Sequence, residues 1–213
     1  SEVWRRSGGH PLLASELTSA LLDQGSLRAE GERWVLDPGV GLPSTVADLV
    51  QARVAELGPD ATHVLQAAAV LGPTFDLKVL DGLVPHAASG VRDGVRAGVL
   101  VDRGGVHQLS FGHDLTHEAV LQGVPEGWRI ELHEAAGLAL AADPEASPLE
   151  VARHLVAAAP LDVDRAIAAS TVAGRAASAV FAYDLAIAQH GAALDLLARA
   201  GRLETAEACD VLT

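Results

Sequence analysis

The sequence contains no methionine, one cysteine and few aromatic residues, which make up 3% of the chain. The single cysteine, Cys209, excludes an internal disulfide and is typical of a cytoplasmic protein. With so few aromatic side chains, the core of this 213-residue chain must be built from Ala, Leu and Val. Alanine and leucine are strong helix formers, so the composition predicts a mainly α protein.

Long apolar runs and positive charge are also scarce. The longest apolar run, around residues 135–142, is too short to span a bilayer, and no signal-peptide pattern is visible. Lys and Arg number 15 against 28 Asp and Glu, which gives a net charge of −13. Because such an acidic chain repels nucleic acid and anionic membranes, we expect a cytoplasmic protein that binds neither directly.

Catalytic motifs are missing as well. The sequence contains no G-x-x-x-x-G-K-[ST] loop for nucleotide phosphates, and its only lysine, Lys78, follows no glycine-rich loop. No Ser-His-Asp or Cys-His arrangement comes with a supporting G-x-S-x-G elbow. The sequence therefore predicts a chain that is not an enzyme, does not hydrolyse ATP and holds no cofactor of its own.

The first segment, residues 1–57, opens with the stretch Ser7-Gly8-Gly9-His10-Pro11-Leu12-Leu13. Its two glycines predict a tight turn, and Pro11 suits the first position of a helix that extends to about Gln24. A hairpin follows at residues 26–29 and 33–36, and a helix at residues 44–57 carries apolar residues on one face.

The turn at Gly9-His10-Pro11 resembles the Gly-Asn-Pro-Leu turn that opens the lid helix of AAA/STAND-type signal-transduction ATPases, such as the large LuxR-type regulators of bacteria. In that family the motif follows the nucleotide-binding core, and its proline side contacts the adenine. The resemblance implies that Gly9, His10 and Pro11 contact ATP or ADP held by an upstream ATPase core; His10 stands where the family usually has Asn. It also implies, with the missing methionine, that Ser1 and Thr213 are cut edges of a larger protein.

Residues 58–125 are predicted to form three short helices, a hairpin that turns at Gly104-Gly105, and another helix. Helix, helix, helix, hairpin is the order of a winged helix. The runs Ala67–Gly72 and Phe111–Leu115 are similar to the winged-helix segment of the same family, with His113 as the family histidine. In that family the domain joins the ATPase to a repeat array and moves with nucleotide state.

Residues 126–213 are predicted to be helical at about 127–142, 147–159, 162–180 and 183–199, with a further helix starting near 203. Ala152 and Ala186 lie 34 positions apart, which suggests helical-hairpin repeats. Ala186, His190 and Ala193 occupy positions where a tetratricopeptide repeat places Ala, an aromatic residue and Ala. The predicted fold class is therefore mainly α: a helical lid, a winged helix with short β-hairpins, then truncated antiparallel tetratricopeptide-like repeats.

Two further interpretations concern the second segment. His113 and His117, four positions apart, could share a helix face and bind zinc with a distant third ligand such as His133. The preferred interpretation is that His113 caps a helix and His117 lies on its surface. The predicted third helix, 87–97, offers only Arg92 and Arg96 to DNA, in a segment richer in acidic than basic residues, which favours a packing role.

Together these features predict a non-catalytic regulatory or sensor segment of a STAND-type ATPase that regulates transcription. Its repeats would bind a protein partner or a small inducer, and its first segment would contact its own ATPase core. The alternative is a helical protein–protein interaction scaffold without nucleotide coupling. A metal-dependent enzyme and a DNA-binding domain rank third and fourth.

Overall fold

The computed structural model describes residues 18, 27–30, 33–36, 46–102, 104, 108–204, 208, 209 and 211. This part of the chain is mainly helical, as the composition predicts. The chain divides into two compact units, residues 1–74 with 86–123 and residues 75–85 with 124–213. The predicted boundary after residue 125 lies close to the change of unit at residue 123. The division into three segments stays a prediction.

The described residues contain nine helices and five short strands. The helices are α1 (Val46–Glu56), α2 (Pro59–Leu71), α3 (Leu77–Leu83), α4 (Ala87–Arg96), α5 (Asp114–Gln122), α6 (Glu126–Ala141), α7 (Pro148–Ala157), α8 (Val163–Ala179) and α9 (Tyr183–Arg199). The strands are β1 (Leu27–Glu30), β2 (Arg33–Leu36), β3 (Thr74–Asp76), β4 (Leu100–Asp102) and β5 (Gln108–Phe111). None of the described helices is long and apolar enough to cross a membrane.

The hairpin predicted in the first segment is confirmed. Strands β1 and β2 pair antiparallel, with Leu27 opposite Leu36 and Glu30 opposite Arg33. The helix predicted over residues 11–24 lies outside the described residues, apart from the helical position Thr18.

Helix α2 forms the centre of the first unit. Its buried side chains include Leu65, which is fully buried, and α2 packs against α1, α4 and α5. The helix begins at Gly58-Pro59, where proline suits the first turn, and ends at Gly72. Two side-chain amides tie neighbouring elements together: Gln51 Nε2 donates to the Ala119 carbonyl at 3.2 Å, and Gln66 Nε2 donates to the Gly123 carbonyl at 2.9 Å.

Two glycines allow α4 to lie close to α2. A Cβ atom at Gly90 would stand 2.7 Å from the Cβ of Val64, and one at Gly94 would stand 2.7 Å from Leu65 Cδ2. Both separations are shorter than side chains tolerate, so the helix needs glycine at these positions. Glycine lowers helix propensity by roughly 1 kcal/mol per residue, and here close packing offsets that cost.

The predicted turn at Gly104-Gly105 is wrong in its register. A two-residue turn there would pair Leu100 with Leu109, whereas Leu100 lies opposite Phe111. The carboxylate of Asp102 accepts a hydrogen bond from the Gly104 N–H at 2.8 Å, and β5 does not begin until Gln108, so the connection is longer than the predicted two residues. A shift of two residues leaves every side chain on its original face, because side chains alternate along a strand. The strand order of the sheet is β3-β5-β4.

The second unit contains α3 and the series α6 to α9. Each helix of the series packs against the next, and α3 packs against α6. Small residues bring the helices together: a Cβ atom at Gly137 on α6 would lie 2.5 Å from Leu155 Cδ2 on α7. Alanine, leucine and valine supply most of the core, as the scarcity of aromatics predicts. One cluster consists of Ala166, Ile167, Ala193, Leu196, Leu197 and Val211.

Candidate functional site

The predicted nucleotide-contacting residues Gly9, His10 and Pro11 lie outside the described residues. Their position relative to other parts of the chain is therefore a prediction from the resemblance alone.

The prediction that His117 lies on the helix surface is wrong. Its Nε2 lies 2.8 Å from the carbonyl oxygen of Ala69 on α2, and its ring packs edge-on against Phe111 at 5.2 Å between centroids. His113 occupies the N-cap position of α5, as predicted, but its side chain makes no capping hydrogen bond. No group of three metal-ligating side chains occurs among the described residues.

Helix α4 corresponds to the predicted third helix of the second segment, and an ion pair neutralises part of its positive charge. Arg96 Nη1 lies 2.9 Å from Asp93 Oδ1, one turn earlier on the same exposed face. An ion pair within the helix reduces the charge that α4 can offer to phosphate groups.

An exposed apolar surface lies where α8 turns into α9. We call it the turn surface and define it by four side chains whose exposed fractions range from 60 to 76%: Val180, Phe181, Tyr183 and Ile187. Tyr183 and Ile187 lie four positions apart on α9, so they share a helix face. Phe181 packs edge-on against Tyr183, with 6.2 Å between ring centroids. The turn surface therefore presents two aromatic rings to solvent in a chain that has few.

The backbone of Phe181 is in the left-handed region, with φ at +60°. Its N–H bonds to the carbonyl of Ser178, and the N–H of Ala182 bonds to the carbonyl of Ala177. This hydrogen-bond pattern is a Schellman motif, whose left-handed position is usually glycine. The same motif follows α4 and α9, where that position is Gly98 and Gly201. At the turn between α8 and α9, the protein places a bulky side chain where the two other such turns in the described part of the chain use glycine.

A left-handed conformation costs a non-glycine residue about 1–2 kcal/mol, and Phe181 gains little from burial because it is 76% exposed. Strained positions that folding does not reward are concentrated at binding sites. An exposed aromatic side chain supplies a large apolar area with little flexibility, which suits it to anchor a partner protein. Sequence reasoning missed this residue; the available signal was a phenylalanine at a helix end where glycine or asparagine is expected.

A second feature is a chain of hydrogen bonds between α6 and α7. His154 is fully buried; its Nε2 lies 2.8 Å from Arg153 Nη2 and its Nδ1 lies 2.9 Å from Nδ1 of His133. Burial lowers the pKa of His154 to about 3, and the neighbouring Arg153 and His133 act in the same direction. Burial, together with Arg153 and Arg129, lowers the pKa of His133 to about 4. Both imidazoles are therefore neutral at physiological pH.

This hydrogen-bonded chain has no counterpart among the sequence predictions, which considered His133 only as a distant metal ligand. His154 lies in no recognisable motif, and its burial depends on packing of α7 against α6.

No protein-family model, curated protein or solved structure matches the chain.

Proposed function

We propose that this chain is a non-catalytic regulatory segment of a STAND-type ATPase that controls transcription. In this proposal the turn surface binds a protein partner, and the nucleotide state of an ATPase core controls that binding. The observation that carries the partner-binding part is Phe181, a strained and exposed aromatic residue at a position that is glycine in the equivalent turns after α4 and α9.

Two structural features support the resemblance behind the proposal. The element order from α2 to β5, with sheet order β3-β5-β4, is the order found in winged helices. Helices α6 to α9 pack in sequence, each against the next, as helices do in tetratricopeptide-like repeats. These features agree with a winged helix followed by repeats.

The proposed coupling is mechanical. ATP or ADP bound to the core touches Gly9, His10 and Pro11, the lid changes its angle, and the winged helix transmits the change to the repeats. The nucleotide must bind the two arrangements with different affinity, since otherwise it shifts no equilibrium. The sequence has no G-x-x-x-x-G-K-[ST] loop, and in this proposal the chain holds no cofactor of its own and its parent is cytoplasmic.

The partner-binding part can be tested with Phe181→Gly. Glycine preserves the turn and removes the anchor, so we expect the fold to survive and binding to be lost. The control is Leu138→Ala, which removes a different exposed apolar side chain, on α6. Proteins retained by the natural chain and by the control, but not by Phe181→Gly, are then purified and titrated singly.

We expect a purified partner to bind Phe181→Gly at least about tenfold more weakly than it binds the other two proteins, since hot-spot aromatics contribute 2 kcal/mol or more. Equal affinity for all three proteins would contradict the role of the turn surface. The coupling is measured separately: the affinity of the partner for the ATPase-containing protein is compared in the presence of ATP and in the presence of ADP. No difference between the nucleotides would favour the scaffold without nucleotide coupling.

A further inference from the structure

An apolar groove lies at the end of the α8–α9 hairpin that is opposite the turn surface. It has a volume of about 570 Å³ and lies between the C-terminal ends of α7 and α9 and the first residue of α8. Ala157 and Arg199 are exposed on its walls. We call it the end groove. Its more deeply placed lining residues are aliphatic: Val156, Ala159, Val163 and Leu196.

The size and lining of the end groove suit a bulky apolar side chain. Binding pockets run from about 300 to 1,000 Å³ and are lined mainly by apolar groups. Val156 and Val163 are only half-buried, although they pack against the core cluster of α8 and α9. A ring inserted into the groove would therefore remove more of their apolar surface from water.

Arg199 adds a positive charge to the end groove. Its side chain is exposed, and it makes no hydrogen bond or ion pair with any other residue that the structure describes. Its place in the last turn of α9 favours the helix dipole, but that effect leaves its N–H donors unoccupied. A guanidinium group binds both the face of an aromatic ring and the oxygen atoms of a carboxylate. The best occupant of the groove thus combines an aromatic ring with a carboxylate.

The turn surface carries both of these groups. Phe181 and Tyr183 are 76% and 60% exposed, and their rings pack edge-on against each other. Asp184 follows Tyr183 on α9, is exposed, and has no hydrogen bond or ion pair within the described part of the chain. The charge of Asp184 complements that of Arg199.

The turn surface and the end groove cannot meet within one copy of the chain. The 17 residues of α8 separate them, which is roughly 25 Å at 1.5 Å per residue. Two different surfaces that fit each other form a heterologous contact between copies. Pairing of two turn surfaces would instead bring two Asp184 side chains together, in a chain whose net charge is already −13.

We propose that the protein partner of the turn surface is a second copy of this chain, bound head to tail. Phe181 and Tyr183 of one copy sit in the end groove of the next copy, and Asp184 pairs with Arg199 there. This inference rests on the proposed partner-binding role of the turn surface and names the partner. Each ring buries roughly 150–250 Å², so the contact is at the low end of specific interfaces and the association is weak and depends on concentration.

The test is sedimentation velocity of the whole chain from micromolar to millimolar concentration, at physiological ionic strength so that the net charge is screened. We expect reversible self-association of the natural chain. Phe181→Gly removes the inserted ring, and Ala157→Glu places a carboxylate on the groove wall beside Arg199. Each variant is expected to self-associate at least about tenfold more weakly, because each removes a central aromatic contact.

A mixture of the two variants distinguishes head-to-tail binding from other arrangements. The Ala157→Glu copy keeps its turn surface and the Phe181→Gly copy keeps its end groove, so the two are expected to form a one-to-one pair and nothing larger. A mixture that does not pair would overturn the proposal. Self-association of Ala157→Glu with the natural affinity would also overturn it, because the turn surface would then not use the end groove.

The matched control is Ala139→Glu, which adds the same charge at an exposed position of α6, outside both surfaces. We expect it to self-associate like the natural chain. If it weakened self-association as much as Ala157→Glu, the cause would be net charge and the proposed contact would be wrong.

Failure of this inference differs from failure of the proposed function. A natural chain that stays monomeric over the whole concentration range would overturn the second copy as the partner. The proposed function would still stand if another purified protein bound the natural chain and not Phe181→Gly.

Discussion

The left-handed backbone at Phe181 makes a quantitative prediction about stability. Phe181→Gly and Phe181→Ala both delete the ring, so the difference between them measures the backbone alone. The left-handed conformation destabilises the alanine variant by about 1–2 kcal/mol. The greater flexibility of glycine in the unfolded chain destabilises the glycine variant by about 0.4–1 kcal/mol, which offsets part of this difference. We therefore expect Phe181→Gly to be more stable than Phe181→Ala by about 1 kcal/mol.

The equivalent turn after α9 allows the reverse substitution, from glycine to alanine, to be tested. Gly201 has φ at +70° with the same hydrogen-bond pattern, so Gly201→Ala is expected to cost about 1 kcal/mol. At Ala188, an exposed position inside α9, alanine must be more stabilising than glycine, so Ala188→Gly is expected to destabilise the protein by about 0.5–1 kcal/mol.

Chemical denaturation followed by circular dichroism measures all four variants. In calorimetry, 1 kcal/mol corresponds to a change in Tm of roughly 2–4 °C for a chain of this size. If Phe181→Ala were as stable as Phe181→Gly, residue 181 would not be in a left-handed conformation. The structural reason for regarding it as a functional residue would then disappear.

Three other predictions concern the second unit. As pH falls from 6.5 towards 4, the unfolded chain binds protons on His154 and His133, whereas the folded chain keeps both imidazoles neutral. The free energy of unfolding should therefore fall by about 2 kcal/mol for His154 by pH 5. A free energy of unfolding that stays constant over that range would refute this prediction. Gly137→Ala should destabilise by about 1–3 kcal/mol because of the clash with α7, whereas Gly127→Ala, with open space around it on the same helix, should stabilise by about 0.5–1 kcal/mol; equal effects in unfolding experiments would contradict the packing. The hydroxyl of Ser170 is fully buried without a partner among the described residues, so Ser170→Ala should raise the unfolding free energy by about 1 kcal/mol, and a loss would show that the hydroxyl has a partner.

Helix positions were predictable because the sequence marks their ends. Gly58-Pro59 and Gly72-Pro73 bracket α2, and Pro160 and Gly201 lie close to the ends of α7 and α9. Proline and glycine determine local backbone geometry, and local geometry is readable without the tertiary structure. The mainly α class followed from composition in the same way.

Tertiary contacts were not predictable from local patterns. His117 reaches the carbonyl of Ala69, 48 positions earlier in the chain, and nothing near either residue signals that hydrogen bond. Gly90 and Gly94 suggest a weak helix by propensity, but their role is to admit the side chains of α2. Propensity describes one helix alone, whereas packing depends on its neighbour.

For the candidate functional residues too, the residue type was readable from the sequence, but the contacts and backbone conformation were not. Phe181 was visible in the sequence, but its meaning depends on a left-handed φ that only the backbone reveals. His154 and His133 form their hydrogen bond because α6 and α7 pack in one particular register. The predicted nucleotide contacts at Gly9, His10 and Pro11 stay predictions, since they lie outside the described residues.

The proposed role in a STAND-type ATPase is tested most directly by the coding sequence immediately upstream of Ser1. We predict that it encodes a G-x-x-x-x-G-K-[ST] loop followed by a strand ending in acidic residues, which together form the nucleotide-binding core. An upstream stop codon, or an unrelated domain without a phosphate-binding loop, would contradict the ATPase-regulator account.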